Sequence, residues 1–310
     1  MKKAIAAFMS AVMLILSAAP SLTAAAAEKK TAWVKGDANG DGAVSISDVT
    51  CIQNYLADLP VGIALDAADV TGDGEIAVSD VTNIQYFLAG LPSSLDSKLS
   101  NDELYELSVR DAAFADDDEI MPLVNISKDD DRVIWDGDKV LVTITHKYPD
   151  SYPAGKEVEL KWGDAWCVSA GEMYSWVKES EGVTDWTERF HQVLGVPTSK
   201  NYNTVTALWV DPGVLNRPAY VTDITAPMTN TYQPTGNEEF DQRYKSWFDS
   251  NILWSYFDSA YPWTRLGYTY DWADNGKEYG LSEFLIFKGA SAKVEYTYSI
   301  DDFVAYVNTL

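Results

Sequence analysis

Apolar residues fall at helical spacing twice in the first third of the chain. Val49, Ile52, Leu56 and Leu59 recur at three- and four-residue steps, and Val81, Ile84, Leu88 and Leu91 repeat them 32 residues later. This spacing predicts two amphipathic helices of one design. A third helix opens at the capping box Ser100-Asn-Asp-Glu103, carries Leu104, Leu107 and Ala112 on one face, and ends at the acidic run from Asp116 to Glu119. From Asp129 onward, period-two segments alternate with helical ones. Strands are expected at 139–145 and 157–162, paired with each other around the turn at 149–155, and at 204–210, 264–270, 282–287 and 292–298. Helices are expected at 170–180, 184–194, 238–259 and 301–308. The fold class is therefore α+β: a small all-α module at 33–92, a polar linker at 93–99, and a mixed α+β module at 100–310. The last is long enough for one substantial core.

What precedes the first two helices decides what they are for. Asp37-Ala-Asn39-Gly-Asp41-Gly42-Ala43-Val-Ser45-Ile46-Ser47-Asp48 runs into the first, and Asp69-Val-Thr71-Gly-Asp73-Gly74-Glu75-Ile-Ala77-Val78-Ser79-Asp80 into the second. A hard cation such as Ca2+ takes six to eight oxygens, which an EF-hand-type loop offers from positions 1, 3, 5, 7, 9 and 12. Asp37, Asn39, Asp41 and Asp48 offer side-chain oxygens, Ala43 its carbonyl, and Ser45 a hydroxyl or a bridged water. In the second loop Asp69, Asp73 and Asp80 repeat the pattern and Glu75 supplies position 7. Thr71 and Ala77 are poorer than their counterparts, so weaker binding is expected there. Gly42 and Gly74 at position 6 allow the sharp turn.

Position 12 is Asp rather than Glu, and neither loop has an obvious entering helix. The tandem resembles a dockerin, the calcium-dependent plug by which bacterial enzymes dock onto cohesin modules of a cellulosome scaffold. The resemblance covers about sixty of the 310 residues. It implies two calcium ions, a cohesin partner, and partner-reading residues at loop positions 10 and 11, here Ile46-Ser47 and Val78-Ser79. The likeness of the two pairs implies binding in either of two orientations. Packing beneath the loop is the alternative role for Ile46 and Val78.

Residues 1–27 begin with Lys2-Lys3, continue through an apolar run and end in small residues, the pattern of a secretory signal peptide. No other run is long enough to span a bilayer, so the mature chain is expected to be extracellular. Loss of Lys2 and Lys3 takes the net charge from −24 to −26, which argues against nucleic-acid partners. Cys51 and Cys167 lie in different modules and are expected to be unpaired thiols.

The chemistry of the larger module is less marked. Ten of the eleven tryptophans fall between Trp135 and Trp272, as core or as platforms for sugar rings. Cys167 precedes a predicted helix, whose dipole would lower its pKa. With His146 or His191 it could make a peptidase-like nucleophile pair. Glu283 shares a strand face with Leu281, Leu285 and Phe287, where a carboxylate is at an edge, paired or functional. It is the candidate proton donor of a glycoside hydrolase, with Asp271 as the ionised partner. An ion pair from Arg265 to Glu283 is the competing reading. The block from Tyr261 to Phe287, with Ala207–Pro212 and Asn216–Ala219, resembles a bacterial family that brings no activity. Ser282-Glu283 followed by Gly289 and Val294 is similar to the last motif of ADP-ribosyltransferases. Dockerin company implies work on polysaccharide, by hydrolysis or as a noncatalytic carbohydrate-binding module.

Overall fold

A computed structural model of the chain describes residues 34–96, 99–258 and 260–310. The expected signal peptide lies outside the described residues. The chain has the α+β character its patterning predicts: a small helical unit, then a larger unit built on one antiparallel sheet.

The helical unit contains α1 (Ile46–Leu56), the one-turn α2 (Leu65–Ala68) and α3 (Val78–Leu88). Asp48 sits at the third position of α1 and accepts from the Ser45 N–H at 2.7 Å, while the Ser45 hydroxyl accepts from Ser47 N. Both ends of this exchange satisfy donors that a helix N-terminus otherwise leaves orphaned. Ala77 has no oxygen to offer at the start of α3, so only the return bond from Ala77 N to Asp80 remains, at 2.8 Å. Val49, Cys51 and Ile52 pack against Val81 and Ile84, with Ala38, Ala68 and Val70 closing the core. The connection that follows is pinned to this unit. Leu95 packs on its core, and Ser94 donates through Oγ to Val70 O at 2.7 Å and through N to Asn83 Oδ1 at 3.0 Å.

The larger unit opens with α4 (Asn101–Asp111), capped by Ser100 and Glu103 as its sequence predicts. Nine strands follow: β1 (Trp135–Asp136), β2 (Lys139–His146), β3 (Glu157–Glu159), β4 (Ala165–Ser169), β5 (Thr204–Val210), β6 (Leu215–Asn216), β7 (Tyr268–Tyr270), β8 (Tyr279–Ile286) and β9 (Ser291–Ser299). The main path runs β3-β9-β5-β2-β4-β8-β6, with β1 on β2 and β7 on β8. Helices α5 (Ala170–Glu179), α6 (Trp186–Val193) and α8 (Ile300–Val307) cover one face, on which Leu141, Val168, Val205 and Leu281 meet Met173, Phe190 and Phe303. Val140, Val142, Leu208, Phe284 and Val294 fill the other. Helix α7 (Glu238–Leu253) lies beyond and runs into a π-helical turn at Trp254–Asp258.

The expected hairpin of 139–145 with 157–162 does not form. β2 is buried on both faces and sits inside the sheet between β5 and β4, whereas β3, with Glu157 and Glu159 exposed, pairs with β9 at the edge. Burial outweighed proximity along the chain. The expected strand at 264–270 shrinks to Tyr268–Tyr270, because Arg265 and Gly267 take positive φ and turn the chain. Gly267 takes φ +83°, a conformation that L side chains rarely adopt, so this turn favours glycine.

β2 and β4 are bonded only at Val142–Ser169 and Thr143–Val168. Beyond that point the strands part, and their continuations, 144–146 and 165–167, no longer pair with each other but line an opening.

Candidate functional site

Both acidic loops fold around their first and last carboxylates. Asp37 accepts from Asp41 N at 3.0 Å and Gly42 N at 2.7 Å, and the fully buried Asp48 accepts from Asn39 N at 3.0 Å. In the second loop Asp69 accepts from Gly72 N and Gly74 N at 2.7 and 2.8 Å, and the fully buried Asp80 from Thr71 N and Thr71 Oγ1, both at 3.0 Å. Asn39 and Asp41 bond each other at 2.9 Å, and Asp73 accepts from Glu75 N. None of the ion pairs among the described residues reaches these carboxylates. Burial and the neighbouring Asp48 and Asp41 charges push the Asp37 carboxyl up, against the lowering effect of its N–H partners. Buried acids crowded together without a basic partner are a donor set that fits a hard divalent cation.

The opening between β2 and β4 is the mouth of a cavity of about 900 Å3. Glu283 projects into it from β8. Its register partner is Val168, whose own partner on β2 is Thr143, so the three share one row and one face. Burial raises the Glu283 carboxyl to about 8, and no charge or hydrogen bond offsets that. Two further polar atoms in the lining are buried without a partner, Thr143 Oγ1 and Asn251 Nδ2. Trp162 and Trp254 stand at the rim, 83% and 58% exposed, while Trp263 is buried in the wall.

Several expected pairings are not made. Asp271 is held by Arg189, with Nη1 to Oδ1 at 2.8 Å, and does not line the cavity. Asp271 N bonds Glu278 O while Glu283 N bonds Gly267 O. The two residues therefore stand four positions apart along the β7–β8 pair, about 13 Å of backbone, and do not face each other across it. Arg265 does not neutralise Glu283, since its Nη2 donates to the carbonyl of Ala113 at 2.7 Å. Cys167 lies within β4 rather than at a helix start, and burial pushes its thiol up rather than down. His146 is taken by Tyr148 N and Thr206 Oγ1, and His191 by Tyr202 N and Thr187 O. No thiolate–imidazole pair exists among the described residues, and both cysteines are free and buried.

A family model, the dockerin type I domain, matches residues 35–88. The chain contains a dockerin. No curated protein and no solved structure matches the chain. Dockerin type I domains bind calcium, and the domain supports docking onto a cohesin in a cellulosome-type protein. Among the described residues no helix is long and apolar enough to cross a membrane.

On the dockerin surface Ile46 and Val78 are 63% and 69% exposed and Ser47 and Ser79 are exposed beside them. These positions do not pack beneath the loops. Tyr55, Leu56 and Leu59 are exposed too, and so are their counterparts Phe87, Leu88 and Leu91, each 32 residues on. The repeat that marks the calcium loops could have marked this apolar set. Thr143 and Asn251 gave no such signal, because an ordinary strand threonine and helix asparagine have no motif. A third feature escaped the sequence altogether. Asp111, Glu119 and Glu278 bring carboxylate oxygens within 4.8 Å of one another. Burial, then Asp111 and Glu119, raise Glu278 to about 7.

Proposed function

We propose that the chain is an exported cellulosome component whose dockerin, bounded by residues 33–92, binds two calcium ions and plugs into a cohesin. Its module from residue 100 onward, past the linker at 93–99, is proposed to take part in polysaccharide degradation. The observation that carries the docking reading is the 32-residue repetition of two things at once: the buried carboxylates at loop position 12 and the exposed apolar pairs at position 10. Asp37, Asn39, Asp41, Ala43, Ser45 and Asp48 would hold one ion, and Asp69, Thr71, Asp73, Glu75 and Asp80 the other. Calcium supplies the positive charge that these acids lack, which couples folding of the domain to the metal. Calorimetric titration of the chain with a cohesin, with and without chelator, tests this. Binding that survives full removal of calcium refutes it.

Ile46-Ser47 and Val78-Ser79 are proposed as interchangeable contacts. Changing both pairs abolishes binding and changing one leaves most of it. Loss through one pair alone shows that only one face is used.

For the larger module the cavity supports a saccharide-holding role ahead of cleavage. Its lining contains two acids, Glu283 and Asp164, and Asp164 is occupied by Lys288 N and Trp247 Nε1. Ala165 faces Ile286, so Asp164 stands about 13 Å from Glu283 along the strands. Catalysis by Glu283 is a second reading, favoured by its raised pKa, which keeps a proton available at neutral pH. A glycan array and a hydrolysis screen on the chain separate the two.

A further inference from the structure

We propose that the cavity between β2 and β4 is a binding site for a neutral oligosaccharide, with Trp254 and Trp162 stacking on sugar rings at the mouth and Thr143, Asn251 and Glu283 taking ring hydroxyls inside. The inference deepens the saccharide reading of the larger module and rests on it.

Thr143 is 2% exposed and its Oγ1 has no partner, although it sits where the sheet opens into a cavity. Asn251 Nδ2, near the end of α7, is likewise orphaned, and Asn251 is part of the same lining. Native interiors leave few such atoms unpaired, and those they do leave call for an explanation. Here the two orphans and the Glu283 carboxyl line one space. A hydrocarbon occupant would leave all three unsatisfied. A ring bearing hydroxyls can both donate and accept, so it suits a hydroxyl, an amide N–H and a carboxyl together.

The second observation is the rim. Trp162 and Trp254 are among the most exposed large side chains of this unit, and Tyr148 is exposed beside them on the same lining. Exposed apolar side chains along one cavity are the kind of surface that marks a binding site, and each indole offers a flat apolar face with a polar edge. The C–H face of a pyranose matches that surface while its equatorial hydroxyls reach past it. The space, about 900 Å3, lies in the range of small-molecule sites. The chain's net charge of −24 disfavours an acidic sugar.

The test uses the full chain with calcium present, titrated calorimetrically with cellotriose, xylotriose and mannotriose, and with trigalacturonate, decanoate and an uncharged tetrapeptide as contrasts. At least one neutral trisaccharide binds. Trp254→Ala and Thr143→Val each weaken it by about tenfold or more. Thr143→Val removes an unpaired hydroxyl, so its melting temperature does not fall, and lost affinity cannot come from lost fold. A neutral trisaccharide that binds with affinity unchanged in both variants overturns this site while leaving the saccharide reading intact. If the neutral sugars fail to bind, or decanoate or the peptide binds in their place, the saccharide reading fails and this inference with it.

Discussion

Replacing Glu283 by Gln should stabilise the protein, and the gain should grow with pH. In the folded state burial lifts this carboxyl from 4.5 to about 8. A raised carboxyl means the folded state holds the proton more tightly than the unfolded chain. Its contribution is therefore fully favourable below about pH 4.5 and is lost as pH rises toward 8. Each pH unit in that window is worth about 1.4 kcal/mol. The parent thus loses up to about 3 kcal/mol by pH 7 and up to about 5 kcal/mol above pH 8. Water in the cavity screens part of this, so both figures are ceilings. Gln keeps the shape without a titrating proton. For a unit of this size about 1 kcal/mol moves the midpoint by about 2–4 °C, so the variant should melt several degrees higher at pH 7 and no higher at pH 4. Thermal unfolding by circular dichroism across pH 4 to 9, parent against Glu283→Gln, reads this directly. A difference that stays flat with pH, or a variant less stable at pH 9, means that Glu283 is paired in solution and refutes its place as an unpartnered cavity acid.

Other outcomes follow from the same structure. Asp41→Ala should weaken calcium binding more than Thr71→Ala, because it removes a charged oxygen; competition with a fluorescent chelator ranks them. Asp271→Asn should destabilise by about 3 kcal/mol or more, since it strands Arg189 in a largely buried pair, and denaturant titration measures the loss. His146 is held neutral by burial, down to about 4. That depressed pKa removes stability as pH falls from 6.5 toward 4, so His146→Gln should flatten the acid side of the stability profile.

What the sequence disclosed was local. The loops, their helices and the span Thr204–Val210 were readable because each rests on spacing within a dozen residues, and the structure places that strand over the same seven residues. What escaped was decided at a distance. Cys167 read as the approach to a helix, but the demand of β8 for a neighbour makes it strand. Asp271 and Glu283 looked like partners because both bordered strands that do pair, yet register sets them at opposite ends of that pair. Arg189 is 82 residues from the carboxylate it holds, and no pattern in either segment announces it. The tryptophans could be sorted only by where the sheet opens, which is a property of two strand edges and not of any indole.

The pinned connection after α3 has a mechanical consequence. With Leu95 packed on the dockerin and Ser94 bonded to Val70 and Asn83, the start of the segment is built into the plug. Its first residues move with the plug. Under the proposed two-way seating, reversing the plug carries that exit point to the other side of the socket. The two seatings then launch the rest of the chain from different points, which turns a symmetry of the docking surface into a choice of where the chain leaves the scaffold.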